Sequence, residues 1–219
     1  MKRIGIIGAG RFGVSLAENL TRRGAEVLLM DSNKDTVQHL SALVSKVVQG
    51  NGSNKATLQK AGFQECDTAV VAIGSNMEAS ILATMNLKEL KLSNVVAKAG
   101  SEMHGKVLER IGADQVIYPE KERAQRLART LLARSAVDYF EISDGVSVAE
   151  MKAPSQFVGK TLIQTNIRSK HEITILAIKR GTNAAGTQEK IISPAGDTII
   201  MEGDTLVFFG PDKNLEAIS

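Results

Sequence analysis

The sequence predicts an α/β fold, in which a doubly wound parallel sheet is followed by a crossover helix and a small α+β domain. Short apolar runs alternate with helical segments six times in about the first 120 residues. Such alternation is typical of a parallel sheet with helices on both faces. The segment Gly8-Ala9-Gly10-Arg11-Phe12-Gly13 joins the first strand to the first helix. Beyond about residue 136, the pattern changes to successive strands separated by turns.

The first domain is predicted to contain six strands and five intervening helices. The strands are apolar and rich in β-branched residues, as buried strands of parallel sheets are. They span residues 3–7, 26–30, 46–49, 68–72, 94–99 and 115–118. The helices have apolar residues at helical spacing, as at Leu16, Ala17 and Leu20. They span residues 14–23, 34–43, 54–61, 77–90 and 103–111.

A sixth helix opens at Pro119, with Glu120 in its first turn, as helix starts prefer. It extends to about residue 134 and carries an apolar stripe that needs a surface to cover. The stripe comprises Ala124, Leu127, Ala128, Leu131 and Leu132. That surface could be the chain's own sheet, a second subunit or both. We expect Leu127, Leu131 and Leu132 to lie in a subunit interface, because their helix follows a completed sheet.

The sequence predicts a first domain at 1–135 and a second domain at 136–219. The strands of the second domain are 137–141, 146–152, 173–179, 189–193 and 205–209, with a short helix at 162–168 and a closing helix at 213–218. A unit of about eighty residues is small for an independent core. A second copy of the chain is the simplest partner.

The glycine-rich turn lies between a strand and a helix, the context in which GxGxxG is informative. Gly8 would make the tight turn, Gly10 would let a phosphate approach the backbone, and Gly13 would let the helix pack against the strand. Asp31 follows the second strand, eighteen residues after Gly13. This spacing is close to that of the acidic residue that binds a ribose 2′-hydroxyl in Rossmann-like domains.

In such a sheet the ligand lies across the carboxyl ends of the strands. The sequence places several polar or glycine-rich segments at these ends. They are 8–13, Asp31, Asn51, 74–76 and Lys98. The sequence therefore predicts a nucleotide-binding site at this edge.

Composition limits the other functions. Aromatic residues make up 4% of the chain, net charge is +3, and no run of five basic residues occurs, so nucleic-acid binding is not expected. The single cysteine, Cys66, excludes an internal disulfide and suits a reducing compartment. No apolar stretch approaches the roughly 18 residues of a membrane helix, and we expect no signal peptide.

The second domain lacks recognisable catalytic motifs. The chain has three histidines, His39, His104 and His171, and the first two fall in predicted helices away from the strand ends. We interpret all three as structural or surface residues. This favours a protein in which nucleotide binding is itself the output. A small NAD-dependent oxidoreductase is the alternative, and a DNA-binding repressor is disfavoured because no helix-turn-helix is apparent.

Longer motifs resemble a known family. They are G-A-G-R-F-G after the first strand, V-A-I-G-S-N at 71–76, I-G-A-D-Q-V-I-Y-P-E at 111–120, F-V-G-K-T-L at 157–162, I-L-A-I-K-R-G at 175–181 and G-D-T-L-V at 203–207. Together they resemble the regulator of potassium conductance (RCK) domain. More closely, they are similar to the KtrA/TrkA family, the regulatory subunits of bacterial potassium uptake systems.

The resemblance implies that the first domain binds ATP, ADP or NAD(H), with a divalent cation such as Mg²⁺, and that binding gates ion flux without enzymatic chemistry. It implies a crossover helix exchanged between subunits, dimeric C-terminal domains and an octameric ring. The membrane partner would be a KtrB/TrkH-like potassium-translocating subunit. The chain would then be cytoplasmic and peripheral, at the inner face of the cell membrane.

The family's site residues map onto this sequence by motif. Asp31 would bind the ribose, Asn51 would lie by the adenine, Arg11 would reach a phosphate and Glu120 would help to hold the cation. Asn51 departs from the aspartate common in the family. The predicted cofactor-binding set is Gly8, Gly10, Arg11, Phe12, Gly13, Asp31, Ser32, Asn51, Gly52, Ala72, Ile73, Gly74, Asn76 and Lys98.

Overall fold

The structure is a computed structural model that describes residues 1–41, 44–132, 136–181 and 190–218 of the chain. The side chains of residues 129, 132 and 136–138 are not described. The described chain forms two compact units, Met1–Glu120 and Lys121–Ser219. The division of the chain between them falls between Glu120 and Lys121, within the sixth helix, and a domain boundary after residue 135 stays a prediction.

The first unit is built on a parallel six-stranded sheet, as predicted. Its strands are β1 (Arg3–Ile7), β2 (Glu26–Asp31), β3 (Lys46–Gln49), β4 (Thr68–Val71), β5 (Val95–Lys98) and β6 (Gln115–Ile117). They lie in the order β3-β2-β1-β4-β5-β6, and every neighbouring pair is parallel. The order reverses between β1 and β4, where Rossmann-like domains bind their ligands.

Six helices connect or follow these strands. They are α1 (Arg11–Arg22), α2 (Lys34–Leu40), α3 (Lys55–Ala61), α4 (Met77–Glu89), α5 (Glu102–Arg110) and α6 (Pro119–Leu132). The prediction that α1 starts at Val14 is wrong, because Gly10 is its N-cap and the helix begins at Arg11. Arg11 therefore lies on the helix, not in the preceding turn. Positions 42, 43, 133 and 134 of the predicted helices lie outside the described residues.

The sheet of the first unit is covered on both faces. One face packs Ile6, Val27 and Leu29 against α1, where Ala17 is fully buried. The other face packs Ile7, Leu28 and Met30 with buried residues of α3, α4 and α5, namely Leu58, Leu87 and Leu108. Both faces of the sheet are therefore covered, which leaves the ends of its strands as the places open to a ligand.

The second unit contains an antiparallel five-stranded sheet. Its strands are β7 (Ala136–Ser143), β8 (Val146–Lys152), β9 (Thr174–Arg180), β10 (Lys190–Ile192) and β11 (Thr205–Pro211), in the order β10-β9-β11-β8-β7. The further α-helices that the structure describes are α7 (Leu162–Thr165), α8 (Ile167–His171) and α9 (Asp212–Ile218). The single helix predicted at 162–168 is wrong, because Asn166 adopts a left-handed conformation (φ +48°) that separates α7 from α8. Position 189 of the predicted strand lies outside the described residues.

A buried ion pair ties β9 to the turn before β11. The Asp204 side chain is 1% exposed, and its carboxylate accepts hydrogen bonds from Arg180 Nε (2.9 Å) and Nη2 (2.8 Å). The Met201 N–H donates a third, at 2.8 Å. Burial alone would raise the pKa of Asp204, but the Arg180 guanidinium and the Met201 N–H outweigh it and hold that pKa below its ordinary value.

Among the described residues, no helix has the length and apolar character that crossing a membrane requires.

Candidate functional site

A cleft of about 380 Å³ opens at the carboxyl ends of β1, β2, β3 and β4. It includes the reversal of strand order between β1 and β4. Its lining residues are Ile7, Gly8, Ala9, Gly10, Met30, Asp31, Ser32, Gly50, Asn51, Gly52, Ala72, Ile73, Gly74, Ser75, Asn76 and Ala79. Ten of the predicted cofactor-binding residues are in this lining: Gly8, Gly10, Asp31, Ser32, Asn51, Gly52, Ala72, Ile73, Gly74 and Asn76. The other four, Arg11, Phe12, Gly13 and Lys98, are not in it.

The three glycines of the turn differ in the space around them. Gly8 has φ +103°, and a Cβ there would lie 3.1 Å from the carbonyl carbon of Ala72. A Cβ on Gly13 would lie 2.0 Å from the Gly8 carbonyl oxygen, so only glycine lets α1 approach β1 this closely. A Cβ on Gly10 would meet no atom within 4 Å. Gly10 therefore faces open space, where a phosphate can reach the backbone.

The N-terminus of α1 is suited to an anion. Gly10 is the N-cap, no side chain caps the helix, and no acidic residue occupies its first turn. The first N–H groups of a helix have no partner within the helix, and they carry a partial positive charge. Phosphate groups bind at such termini in nucleotide-binding domains.

Asp31 connects the end of β2 to the glycine turn. Its Oδ2 accepts a hydrogen bond from the Ala9 N–H (2.6 Å), and its Oδ1 accepts one from the Asn33 N–H (2.8 Å). A carboxylate has about four acceptor positions, so each oxygen retains capacity for a ribose hydroxyl. The sequence indicated the ribose contact, but it did not indicate that Asp31 also positions the turn.

Two asparagines at the cleft are already hydrogen-bonded. Asn51 Oδ1 accepts from the Ser53 N–H at 2.9 Å, which leaves its Nδ2 amide as the group available to a ligand. Asn76 Oδ1 accepts from the Ala79 N–H at 2.9 Å and caps α4. Asn76 therefore acts first as a helix cap.

The structure adds four lining residues that sequence reasoning missed, Ile7, Met30, Gly50 and Ala79. Ala9 and Ser75 also line the cleft, within the segments 8–13 and 74–76 that the sequence placed at this edge. Most of the four missed residues flank residues that were predicted, so their proximity to strand ends was the available signal. Ala79 lies in the first turn of α4, and no local motif points to it.

Lys98, Phe12 and Glu120 form a cluster beside the cleft. The Lys98 ammonium lies 5.8 Å from the centre of the Phe12 ring and pairs with Glu120 Oε1. This contact lowers the pKa of the Glu120 carboxyl. The Lys98 side chain is 11% exposed and the Glu120 side chain is 69% exposed.

The metal prediction for Glu120 has only a limited fit. Within the part of the chain that the structure describes, no group of three or more His, Cys, Asp or Glu side chains could hold a metal ion. Mg²⁺ is commonly held by one or two carboxylates together with substrate phosphates. Glu120 thus fits a shared metal–phosphate site better than an all-protein one.

His104 lies in helix α5, as predicted, but it is not away from the strand ends. It is in the first turn of that helix, a few residues after β5 ends at Lys98, and the Gly100 N–H donates to its Nδ1 at 3.3 Å. Its side chain is buried, and desolvation lowers its pKa. Of the histidines, none lines the cleft, and the interpretation of His104 as structural is consistent with its burial.

Comparison with known proteins identifies both units. The TrkA-N domain family matches residues 4–119, and the TrkA-C domain family matches residues 146–219. The first match covers the parallel sheet and the cleft, and the second covers β8 to α9.

Relatives match over nearly the whole chain. The Ktr system potassium uptake protein C of Bacillus subtilis (strain 168) is 38% identical over 95% of this chain and 92% of its own. The Ktr system potassium uptake protein A of the same organism is 37% identical over 98% and 94%. The solved structure of the GsuK channel bound to NAD shares the fold, with a TM-score of 0.66 at 21% identity, over 99% of this chain and 38% of that one. The chain belongs to the TrkA family of potassium-uptake proteins, with a TrkA-N domain followed by a TrkA-C domain.

Proposed function

We propose that this chain is a nucleotide-binding regulatory subunit that gates a potassium channel or transporter. The observation that carries the proposal is the cleft, where the open backbone at Gly10, the uncapped start of α1 and the Asp31 carboxylate meet at one sheet edge. These groups match a phosphate and a ribose respectively. The family membership supplies the transport context.

The proposed ligand is ATP or ADP, with NAD or NADH as a further candidate and Mg²⁺ as a co-ligand. The GsuK channel, which shares this fold, is bound to NAD in a solved structure. The proposed partner is a KtrB/TrkH-like membrane subunit, and the chain would lie in the cytoplasm at the inner face of the membrane. A ligand shifts a gating equilibrium only by its differential affinity for the two states.

Calorimetric titration of ATP, ADP and NAD tests the binding proposal directly. At least one adenine nucleotide should bind with one site per chain, and the same nucleotide should change ion flux when the membrane subunit is present. Incubation with NADH and carbonyl substrates tests the alternative. Steady oxidation of NADH would favour an oxidoreductase and contradict a purely regulatory role.

Assembly gives a further prediction. The predicted stripe on α6 is exposed in the single chain, with Leu127 at 55% and Leu131 at 75%; the Leu132 side chain lies outside the described residues. We propose that this stripe contacts a second copy of the chain, in a dimer that assembles into an octameric ring. Leu127→Asp with Leu131→Asp should yield smaller species in light scattering, because a buried unpaired carboxylate opposes association.

The control is Glu122→Gln, a change of one charge at an exposed position on the face of α6 opposite the stripe. It should leave the size in solution unchanged. A ring that survives both leucine substitutions would show that the stripe is not the interface.

Arg11 should distinguish ATP from ADP. Arg11 is exposed at the first position of α1. A guanidinium there can bind the terminal phosphate of a nucleotide held by the same subunit or by a neighbouring one. Arg11→Ala should cost ATP about 1.5–3 kcal/mol, or roughly tenfold to a hundredfold in affinity, and should cost ADP far less. Paired calorimetry with magnesium measures both losses.

Arg23→Ala, at the other end of α1, is the matched control and should change neither affinity. Equal losses for ATP and ADP in Arg11→Ala would make Arg11 a diphosphate-binding or folding residue instead.

A further inference from the structure

Lys98 is a nearly buried cation next to the cleft. It ends β5, and its side chain is 11% exposed. A Cβ placed on Gly74, a lining residue, would lie 3.2 Å from Lys98 Nζ. The same ammonium faces the ring of Phe12 in the first turn of α1, the turn that faces an incoming phosphate. Lys98 is therefore positioned between the cleft and the start of α6.

The ion pair with Glu120 is asymmetric. Glu120 is 69% exposed, so water can solvate its carboxylate if the pair opens. Lys98 cannot be rehydrated as readily, and a nearly buried charge without a counter-ion is costly. The Phe12 ring attracts the ammonium but carries no compensating charge. Lys98 therefore requires an anion, whereas Glu120 does not require a cation.

We propose that Lys98 is shared between two anions, pairing with Glu120 when the cleft is empty and with a phosphate of the nucleotide when the cleft is filled. This inference rests on the proposed function and specifies how the site is regulated. Both anions compete for one ammonium, so phosphate binding releases Glu120.

The release acts at a junction of the chain. Glu120 is the last residue of the first compact unit and the second residue of α6, which continues to Leu132 in the second unit. Nucleotide binding thus changes the contacts of the first turn of this helix. The freed carboxylate also becomes available to a divalent cation on the phosphates. By linkage, the Lys98–Glu120 pair weakens nucleotide binding by the same free energy by which nucleotide binding weakens the pair.

The first test is ADP affinity by calorimetry in EDTA, which removes any metal contribution. Glu120→Gln should tighten ADP binding, roughly threefold to tenfold, since the competing partner contributes about what a partly exposed ion pair does. A role of Glu120 in holding the nucleotide predicts the opposite sign. Glu109→Gln, an exposed carboxylate on α5, changes charge equally and should leave the affinity unaltered.

The second test uses Lys98. Lys98→Met should weaken ADP binding and should make Glu120→Gln silent when the two are combined, because the competition no longer exists. Lys98→Arg keeps the charge and should retain most of the affinity. Thermal melting of each variant identifies any that do not fold, and Lys98→Arg keeps the test informative if Lys98→Met does not.

A separate measurement follows α6 itself. Amide hydrogen exchange at residues 121–124 should become faster when ADP is added to the unsubstituted chain, and should not change in Lys98→Met.

Unchanged or weaker ADP binding by Glu120→Gln in EDTA would overturn the competition while leaving nucleotide binding intact. Absence of ATP, ADP and NAD binding to the unsubstituted chain would overturn the proposed function and this inference together.

Discussion

Asp204→Ala should destabilise the second unit by about 3 kcal/mol, the lower end of the cost of breaking a buried ion pair. Asp204 is 1% exposed, and its loss removes the acceptor of two Arg180 hydrogen bonds and of the Met201 N–H. Arg180 Nη2 keeps its hydrogen bond to the Ile199 carbonyl. Arg180 is 27% exposed, so partial rehydration limits the loss. Denaturant unfolding should show a lower midpoint without a change in slope.

The matched control is Glu150→Ala, which breaks the pair between Lys179 on β9 and Glu150 on β8, the two strands that flank β11 in the same sheet. Those side chains are 22% and 28% exposed, so the expected loss is about 1 kcal/mol or less. Equal losses in the two variants would contradict the special role of burial at Asp204.

Protonation of Asp204 at acid pH should lower the stability of the second unit. Because the folded pKa of Asp204 lies below its unfolded value of about 3.9, its contribution is fully present above that value. It is lost as pH falls through the folded pKa. The acid unfolding of Asp204→Ala should lack this component. An unchanged acid profile would show that the pair does not titrate with folding.

The elements predicted correctly are those that local sequence determines. The parallel strands follow from short apolar runs, and the turn around Gly8 follows from a motif whose glycines have local steric roles. The Arg180–Asp204 pair could not be predicted, because the two residues are 24 positions apart and are brought together only by the pairing of β9 with β11.

The candidate site shows the same division. Residues at strand ends were predictable, since parallel strands align their carboxyl ends. The contact of Lys98 with Glu120 was not, because it depends on the side-chain packing of β5 against the start of α6. The left-handed Asn166 was missed because asparagine adopts this conformation only in some contexts.

Asp31→Ala should weaken binding of adenine nucleotides by about 1.5–3 kcal/mol, the range for hydrogen bonds to charged groups, or roughly tenfold to a hundredfold. The loss has two sources: the ribose hydroxyls lose their acceptor, and the Ala9 N–H at 2.6 Å loses the carboxylate that positions the glycine turn. Comparing ADP with 2′-deoxy-ADP by calorimetry separates them. The unsubstituted chain should prefer ADP, whereas Asp31→Ala should bind both nucleotides about equally, since only the ribose contact depends on the 2′-hydroxyl. The carboxylate should also favour NAD over NADP, whose 2′-phosphate would meet a like charge. NADP binding as tightly as NAD, or a 2′-hydroxyl preference that persists in Asp31→Ala, would remove Asp31 from the ribose and leave it only its role in positioning the turn.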